Sequence, residues 1–171
     1  KNVLEARPEQ LRTVSGIGEK TANMIAAFIP VMNAWSRRAG EQLKQITNRN
    51  ELERYCKSIL SGNRNEEFWV ICVDARCRLL GKRRISIGTL SECSTYPRSV
   101  VETALNYNAH SVFLTHNHPG GTCAPSAEDI QSTVRLQKTL NDIGILVLDH
   151  IIVAGDKTYS FAQHGDMDFR R

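Results

Sequence analysis

The residues best suited to chemistry lie between Thr115 and Asp129, in the stretch THNHPGGTCAPSAED. His116 and His118 stand one residue apart, and Ser126 and Asp129 follow across a Pro/Gly-rich loop. Residues two apart on an extended strand point the same way, so both imidazoles can be offered to one point where a strand ends. Asp129 supplies a third donor. A catalytic zinc takes three protein ligands and keeps a fourth position open, and a set of imidazoles with a carboxylate suits it. Gly120 and Gly121 let the chain turn back sharply enough for the next helix to aim its first turn at the histidines. The same residues also have a plainer reading. Ser126 and Asp129 form S-x-x-D before an amphipathic helix, the pattern of a capping box, and an isolated H-x-H can be a strand-end pair bonded to loop backbone. For the acid the two readings are compatible, because a capped helix holds Asp129 as rigidly as a metal ligand requires.

The elements that must position these residues follow from apolar periodicity and turn chemistry. EEFWVICVD, Glu66 to Asp74, has the aromatic and β-branched content of a buried strand, and a turn at ARCR leads to a second strand through Ile87. TYPRSVVETALNYN reads as a helix with Pro97 in its first turn, and AHSVFLTH as a short apolar strand carrying the first histidine at its end. A helix over Ala127 to about Asn141 is closed by Gly144, after which ILVLDHIIVA is a long buried strand. Gly155-Asp156 then turns the chain into KTYSF. Hairpin, helix, strand, helix, hairpin predicts an α/β layered domain with a mixed sheet.

The N-terminal part differs. LRTVSGIGEKTANMIAAFI reads as a helix end, a tight turn at Gly16-Ile17-Gly18 and a second helix that Pro30 bends or interrupts. A further helix is expected from about Asn50 to Leu60. The pattern Leu11, Val14, Gly16-Ile17-Gly18, Ala22 resembles a helix-hairpin-helix, a module that holds nucleic-acid backbones without reading sequence. A tight glycine turn frees backbone N–H groups at a helix N-terminus for a phosphate oxygen, and Lys20 adds charge. The alternative is a plain turn between packed helices.

The 171-residue chain, with 41% hydrophobic and 23% charged residues, is long enough and balanced enough to fold around a sizeable core. A formal charge of +4 permits a nucleic-acid partner without requiring one, although Arg37, Arg38, Lys44, Arg49, Arg54, Lys57 and Arg64 concentrate within residues 37–64 and Lys82, Arg83 and Arg84 form a further cluster. No apolar run approaches the ~20 residues of a membrane helix and the N-terminus lacks a secretion-signal core, so a cytoplasmic protein with no membrane partner is expected. Five cysteines (Cys56, Cys72, Cys77, Cys93 and Cys123) with no C-x-x-C pair point to reduced thiols rather than disulfides or a thiolate zinc cage.

The full spacing, H-x-H, seven residues, Ser, two residues, Asp, resembles the signature of the JAB/JAMM (MPN-plus) zinc metalloproteases. Within them the chain is most similar to the RadC-type proteins, named for a presumed role in DNA repair. IGTL, HNHP, PSAEDI and LDHIIV carry that likeness over roughly Glu66 to Phe161. Gly120 departs from it, standing where those proteins usually have a serine. The resemblance implies a cytidine-deaminase-like three-layer α/β domain over residues 46–171, preceded by a helical helix-hairpin-helix segment over 1–45. It implies one zinc per chain held by His116, His118 and Asp129. It also implies a glutamate ahead of an early strand that activates water; the register falls on Glu66, with Glu67 the rival, and alternation allows only one of them to reach the metal. Ser126 is then a candidate donor to a developing oxyanion. The implied activity is cleavage of peptide or isopeptide bonds in a protein or peptide substrate.

Other assignments fare worse. A non-enzymatic DNA-binding accessory role, through Gly16-Ile17-Gly18 and Lys20, is the main competitor. A nuclease HNH motif spreads its residues over a ββα finger rather than three consecutive positions, and the H-x-E and P-C-x-x-C signature of base deaminases is absent. His150 reads as a core histidine with Asp149 at most supporting a site, His110 and His164 as surface residues, and Trp35 and Trp69 as packing residues. Oligomeric state is not legible.

Overall fold

The computed structural model describes residues 3–41, 44–60, 62–88 and 96–167, with the side chains of residues 5, 33–41 and 96 excepted. Cys93, the second half of IGTL, and the side chains of Trp35, Arg37 and Arg38 lie outside the described residues. A short 3-10 turn and α1 (Pro8–Leu11) lead through the Gly16-Ile17-Gly18 turn into α2 (Glu19–Glu41). Next come α3 (Arg49–Leu60), β1 (Glu67–Val73), β2 (Leu79–Ile87), α4 (Tyr96–Asn106), β3 (Ser111–Asn117), α5 (Ala127–Asn141), β4 (Leu146–Ala154), β5 (Lys157–Ser160) and α6 (Phe161–His164). The five strands form one sheet in the order β2-β1-β3-β4-β5, antiparallel except for the β3–β4 pair. This is the mixed-sheet α/β arrangement that the element order predicts.

Pro30 does not end its helix: α2 continues through it to Glu41. The proline faces solvent, so its ring meets no neighbouring element and its main cost is one missing backbone hydrogen bond. The face that carries Ala22, Ile25 and Ala26 is turned inward, and α2 packs on α1 and α3.

Strand alternation divides the core in two. Phe68, Val70, Cys72, Val112, Leu114, Val147 and Ile152 face Val100 and Ala104 of α4 and Leu136 and Leu140 of α5. Ile71, Val73, Phe113, Ile151 and Val153 face Leu52, Tyr55, Cys56, Ile59 and Leu60 of α3, with Trp69 packed at the margin. Three layers result. β3, the central strand, is buried along its whole length.

A register shift in the β3–β4 pairing pairs Phe113 with Asp149 and Leu114 with His150, one residue out of step with Val112 and Val147. Such a bulge re-aims the side chains beyond it. It turns Asp149 toward the α3 side, beside Phe113, and His150 toward the α5 side. Asp149 accepts the N–H groups of His150 (2.7 Å) and Ala162 (3.0 Å) and the Ser160 hydroxyl (2.7 Å), and so fastens α6 to β4. Burial raises its pKa above the ordinary aspartate value. The native state therefore holds this proton more tightly than the unfolded chain does. Its contribution to stability is complete below about pH 3.9 and is lost as pH rises through the raised value. Asp149→Asn removes that slope and keeps an acceptor oxygen for the two N–H donors. It should cost within about 1 kcal/mol, whereas Asp149→Ala, which strands the donors, should cost about 2–3 kcal/mol. Urea denaturation of both variants at acid and neutral pH checks the difference.

Candidate metal centre

The parallel β3–α5–β4 crossover lays the start of α5 over the end of β3, the edge where open α/β sheets place their binding sites. His116 is the penultimate residue of β3 and fully buried; Phe68, its partner on β1, stacks on its ring at 6.1 Å between centroids. His118 follows the strand, its N–H held by the Val153 carbonyl at 2.9 Å. Gly121, at φ 84°, closes the turn back on the His118 carbonyl, a conformation that side chains with a Cβ rarely adopt. The turn also brings the Thr122 carbonyl to within 2.8 Å of His118 Nδ1.

Ser126 caps α5 as the sequence predicts. Its Oγ accepts the Asp129 N–H at 3.1 Å, while its own N–H and hydroxyl donate to Asp129 Oδ2 at 2.8 and 2.7 Å. The cap orients the acid. Asp129 is buried, with Oδ1 3.2 Å from His116 Nε2 and Oδ2 3.4 Å from His118 Nε2. Those two ring nitrogens lie 2.9 Å apart. His116, His118 and Asp129 each offer a ligand atom within 4.8 Å of the others.

Glu66 directly precedes β1. Its carbonyl accepts the Gly88 N–H at 2.8 Å, which extends the hairpin by one pair, and its carboxyl senses the charges of His116, His118 and Asp129. Glu67 is engaged elsewhere: Trp69 Nε1–H donates to it at 2.9 Å and Arg84 pairs with it at 3.1 Å. The residue between the two histidines fixes this segment. Asn117 accepts the Glu67 N–H at 2.8 Å and donates to the Asn65 carbonyl at 3.0 Å, clamping the backbone on both sides of Glu66.

The electrostatics separate the two acids. Burial alone would raise the Asp129 pKa, but the His116 and His118 rings beside its oxygens outweigh it and hold the carboxyl well below the usual carboxylate range. Contact with Asp129 raises the pKa of His118. Glu66 is pushed up by burial first, and the Asp129 charge adds to this against the opposing pull of the histidines. One acid is held ionised and the other is shifted toward its protonated form.

His150, which the sequence reads as a core histidine, and Thr133, which it does not single out, join the cluster. His150 contacts His116, and Thr133, one helical turn after Asp129, contacts His150. The only sequence signal for His150 was a histidine in an otherwise apolar strand, and the bulge that turns it inward is not visible in the pattern. Asp149 belongs to the opposite side of the sheet. His110 and His164 are exposed, and the latter stacks on Tyr159.

Comparison with known proteins agrees with this geometry. Residues 46–166 match the model of a family described as the RadC-like JAB domain. The chain belongs to the RadC-like JAB domain family. Residues 1–28 match the helix-hairpin-helix motif. A UPF0758 protein of Bordetella pertussis is 34% identical over 167 residues, 98% of this chain and 74% of the relative. One from Janthinobacterium sp. (strain Marseille) is 34% identical over 168 residues, covering 96% of this chain and 74% of its own length. A UPF0758 protein of Herminiimonas arsenicoxydans is 43% identical over 116 residues, 68% of this chain and 52% of the relative.

Proposed function

We propose that this RadC-like protein is a zinc-dependent hydrolase that cleaves peptide or isopeptide bonds in a protein or peptide substrate, using one zinc per chain. The observation that carries the proposal is the pair of imidazole Nε2 atoms 2.9 Å apart beside a buried carboxylate. The Thr122 carbonyl can only accept, so the neutral His118 ring keeps its hydrogen on Nδ1 and leaves Nε2 bare. Bare nitrogens converging on a carboxylate repel unless a cation lies between them. Two imidazoles and one carboxylate fit zinc in its catalytic mode, with a position left for water and substrate.

His116, His118 and Asp129 would hold the metal. Zinc so held lowers the pKa of bound water toward ~7 and polarises a carbonyl. Glu66 takes the proton of the attacking water and returns it to the departing amine, a role that its raised pKa suits. Ser126 gives its hydroxyl hydrogen to Asp129 Oδ2; a rotation about one bond redirects it to a developing oxyanion. The buried thiols Cys56 and Cys72, each pushed up to about 12 by burial, suit packing in a reducing cytoplasm rather than nucleophilic work. The proposal is tested by incubating zinc-loaded protein with peptide and isopeptide-linked libraries and reading products by mass spectrometry. Cleavage that stops with chelator and returns with zinc supports it, and no cleavage by fully loaded protein overturns it.

A second reading concerns the N-terminal segment. Gly16, Gly18 and Lys20 are all exposed at the turn into α2, within the matched helix-hairpin-helix motif. We infer non-specific contact with a DNA backbone there, in keeping with a repair-associated accessory role. Binding to a duplex of arbitrary sequence should weaken steeply with salt, and Lys20→Glu should weaken it further and flatten the salt slope by about one or two charges. Titrations by fluorescence anisotropy at several salt concentrations check this; equal binding by the variant removes the turn from the interface.

A further inference from the structure

Beyond the three ligands a chain of contacts runs into the core and returns to one of them. His116 Nδ1 lies 2.8 Å from His150 Nε2. His150 Nδ1 lies 2.6 Å from Thr133 Oγ1, which is 2.6 Å from the backbone carbonyl oxygen of Asp129. Each contact holds one hydrogen, and the last contact decides the direction of all three. A carbonyl oxygen only accepts, so the Thr133 hydroxyl hydrogen is taken up by Asp129. Thr133 Oγ1 must then accept from His150 Nδ1–H. The reverse arrangement would set two oxygen lone pairs against each other at 2.6 Å.

His150 is fully buried, stacked on Phe161 at 4.6 Å and set edge-on to Phe68 at 5.5 Å. Its two nitrogens meet a ring and a hydroxyl, neither of which compensates a buried charge, so the ring is neutral and Nε2 is bare. It therefore accepts from His116 Nδ1–H. This leaves the His116 Nε2 lone pair aimed at His118 and Asp129, 2.9 and 3.2 Å away.

We propose that Thr133 and His150 are positioning residues: through the Asp129 carbonyl they keep the His116 hydrogen on Nδ1 and so present Nε2 to the metal. The inference rests on the zinc reading above. Both ends of the chain meet Asp129, its carbonyl through Thr133 and its carboxylate through His116. Strands β3 and β4 and the first turn of α5 are thereby tied to one proton arrangement. The β4 bulge is what makes this possible, since it turns His150 to the α5 side.

Thr133→Val keeps the side-chain shape and removes the hydroxyl while all three ligand side chains stay unchanged; Thr133→Ser restores the hydroxyl. Zinc affinity, measured by competition with a chromophoric chelator, should fall at least about tenfold in the valine variant and recover in the serine one, the usual size of an outer hydrogen bond's effect on a metal site. Circular dichroism confirms that both fold. Long-range nitrogen–proton NMR correlations of the metal-free wild type should show His150 with its hydrogen on Nδ1 and a bare Nε2. A wild-type His150 protonated on Nε2, or a valine variant that binds zinc as tightly as wild type, overturns the proposal. If wild type takes up no zinc at all, the hydrolase reading fails separately, and the His150 ring pattern decides whether the proton arrangement exists.

Discussion

Purified wild-type protein will carry one zinc per chain, and His118→Ala and Asp129→Ala will each carry essentially none. The three donors are few, so losing any one leaves two, too few to compete with water and buffer for the ion. Metal content by mass spectrometry reads the result directly. The loss also appears in stability, because an ion that binds only the folded chain stabilises it. At zinc a thousandfold above its dissociation constant the contribution is ~4 kcal/mol. For a chain of this size that corresponds to roughly 8–16 °C in melting temperature. Asp129→Ala loses the reciprocal hydrogen bonds with Ser126 as well, so a smaller loss of roughly 1 kcal/mol should persist in the presence of chelator. Asp129→Asn, which retains an oxygen for the cap, separates the two effects. Protons compete for the same donors: Asp129 raises the pKa of His118, so zinc affinity should weaken as pH falls through that raised value. Wild-type protein that stays metal-free after incubation with excess zinc at neutral pH would reduce the cluster to a capped helix beside a polar turn.

The sequence was most legible where chemistry and local structure ask for the same residue. Ser126 and Asp129 read as a cap and as part of a site; the structure forms the cap and sets Asp129 beside the two histidines. The strands of the hairpin and the crossover were readable because runs of aromatic, β-branched and apolar residues are bounded by turn residues. What was not legible depends on events between strands. The bulge in β4 arises from pairing with β3, so a one-dimensional pattern could not show which side of the sheet Asp149 faces and which His150 faces. Asn117 stands between two histidines with no role legible in the sequence. Its role emerges only once β1 and β3 are side by side, where its amide reaches the two peptides flanking Glu66. Pro30 does not interrupt α2, which runs on to Glu41 although a proline inside a helix is unfavourable on propensity alone.

Glu66→Gln should retain zinc and lose amide hydrolysis by about 10²–10⁴-fold, the usual range for removing a general acid–base group. The amide occupies the same volume but cannot take the proton of the attacking water. Glu67→Gln supplies the contrast. That carboxylate accepts from Trp69 and pairs with Arg84, so its loss should cost within ~1 kcal/mol of stability and leave turnover near wild type. The two adjacent glutamates thus separate by the partners each one has. Asn117→Ala tests the support beneath Glu66: with the Asn65 and Glu67 peptides released, kcat should drop by up to about 100-fold through misplacement of the base, with zinc content unchanged. Single-turnover rates on a substrate found in the library screen, set beside metal content for each variant, distinguish these outcomes. Full activity in Glu66→Gln would move proton transfer to another group and remove Glu66 from the mechanism. Loss of activity in Glu67→Gln instead would mean that the segment turns over in solution, and Asn117→Ala would then lose its effect on rate.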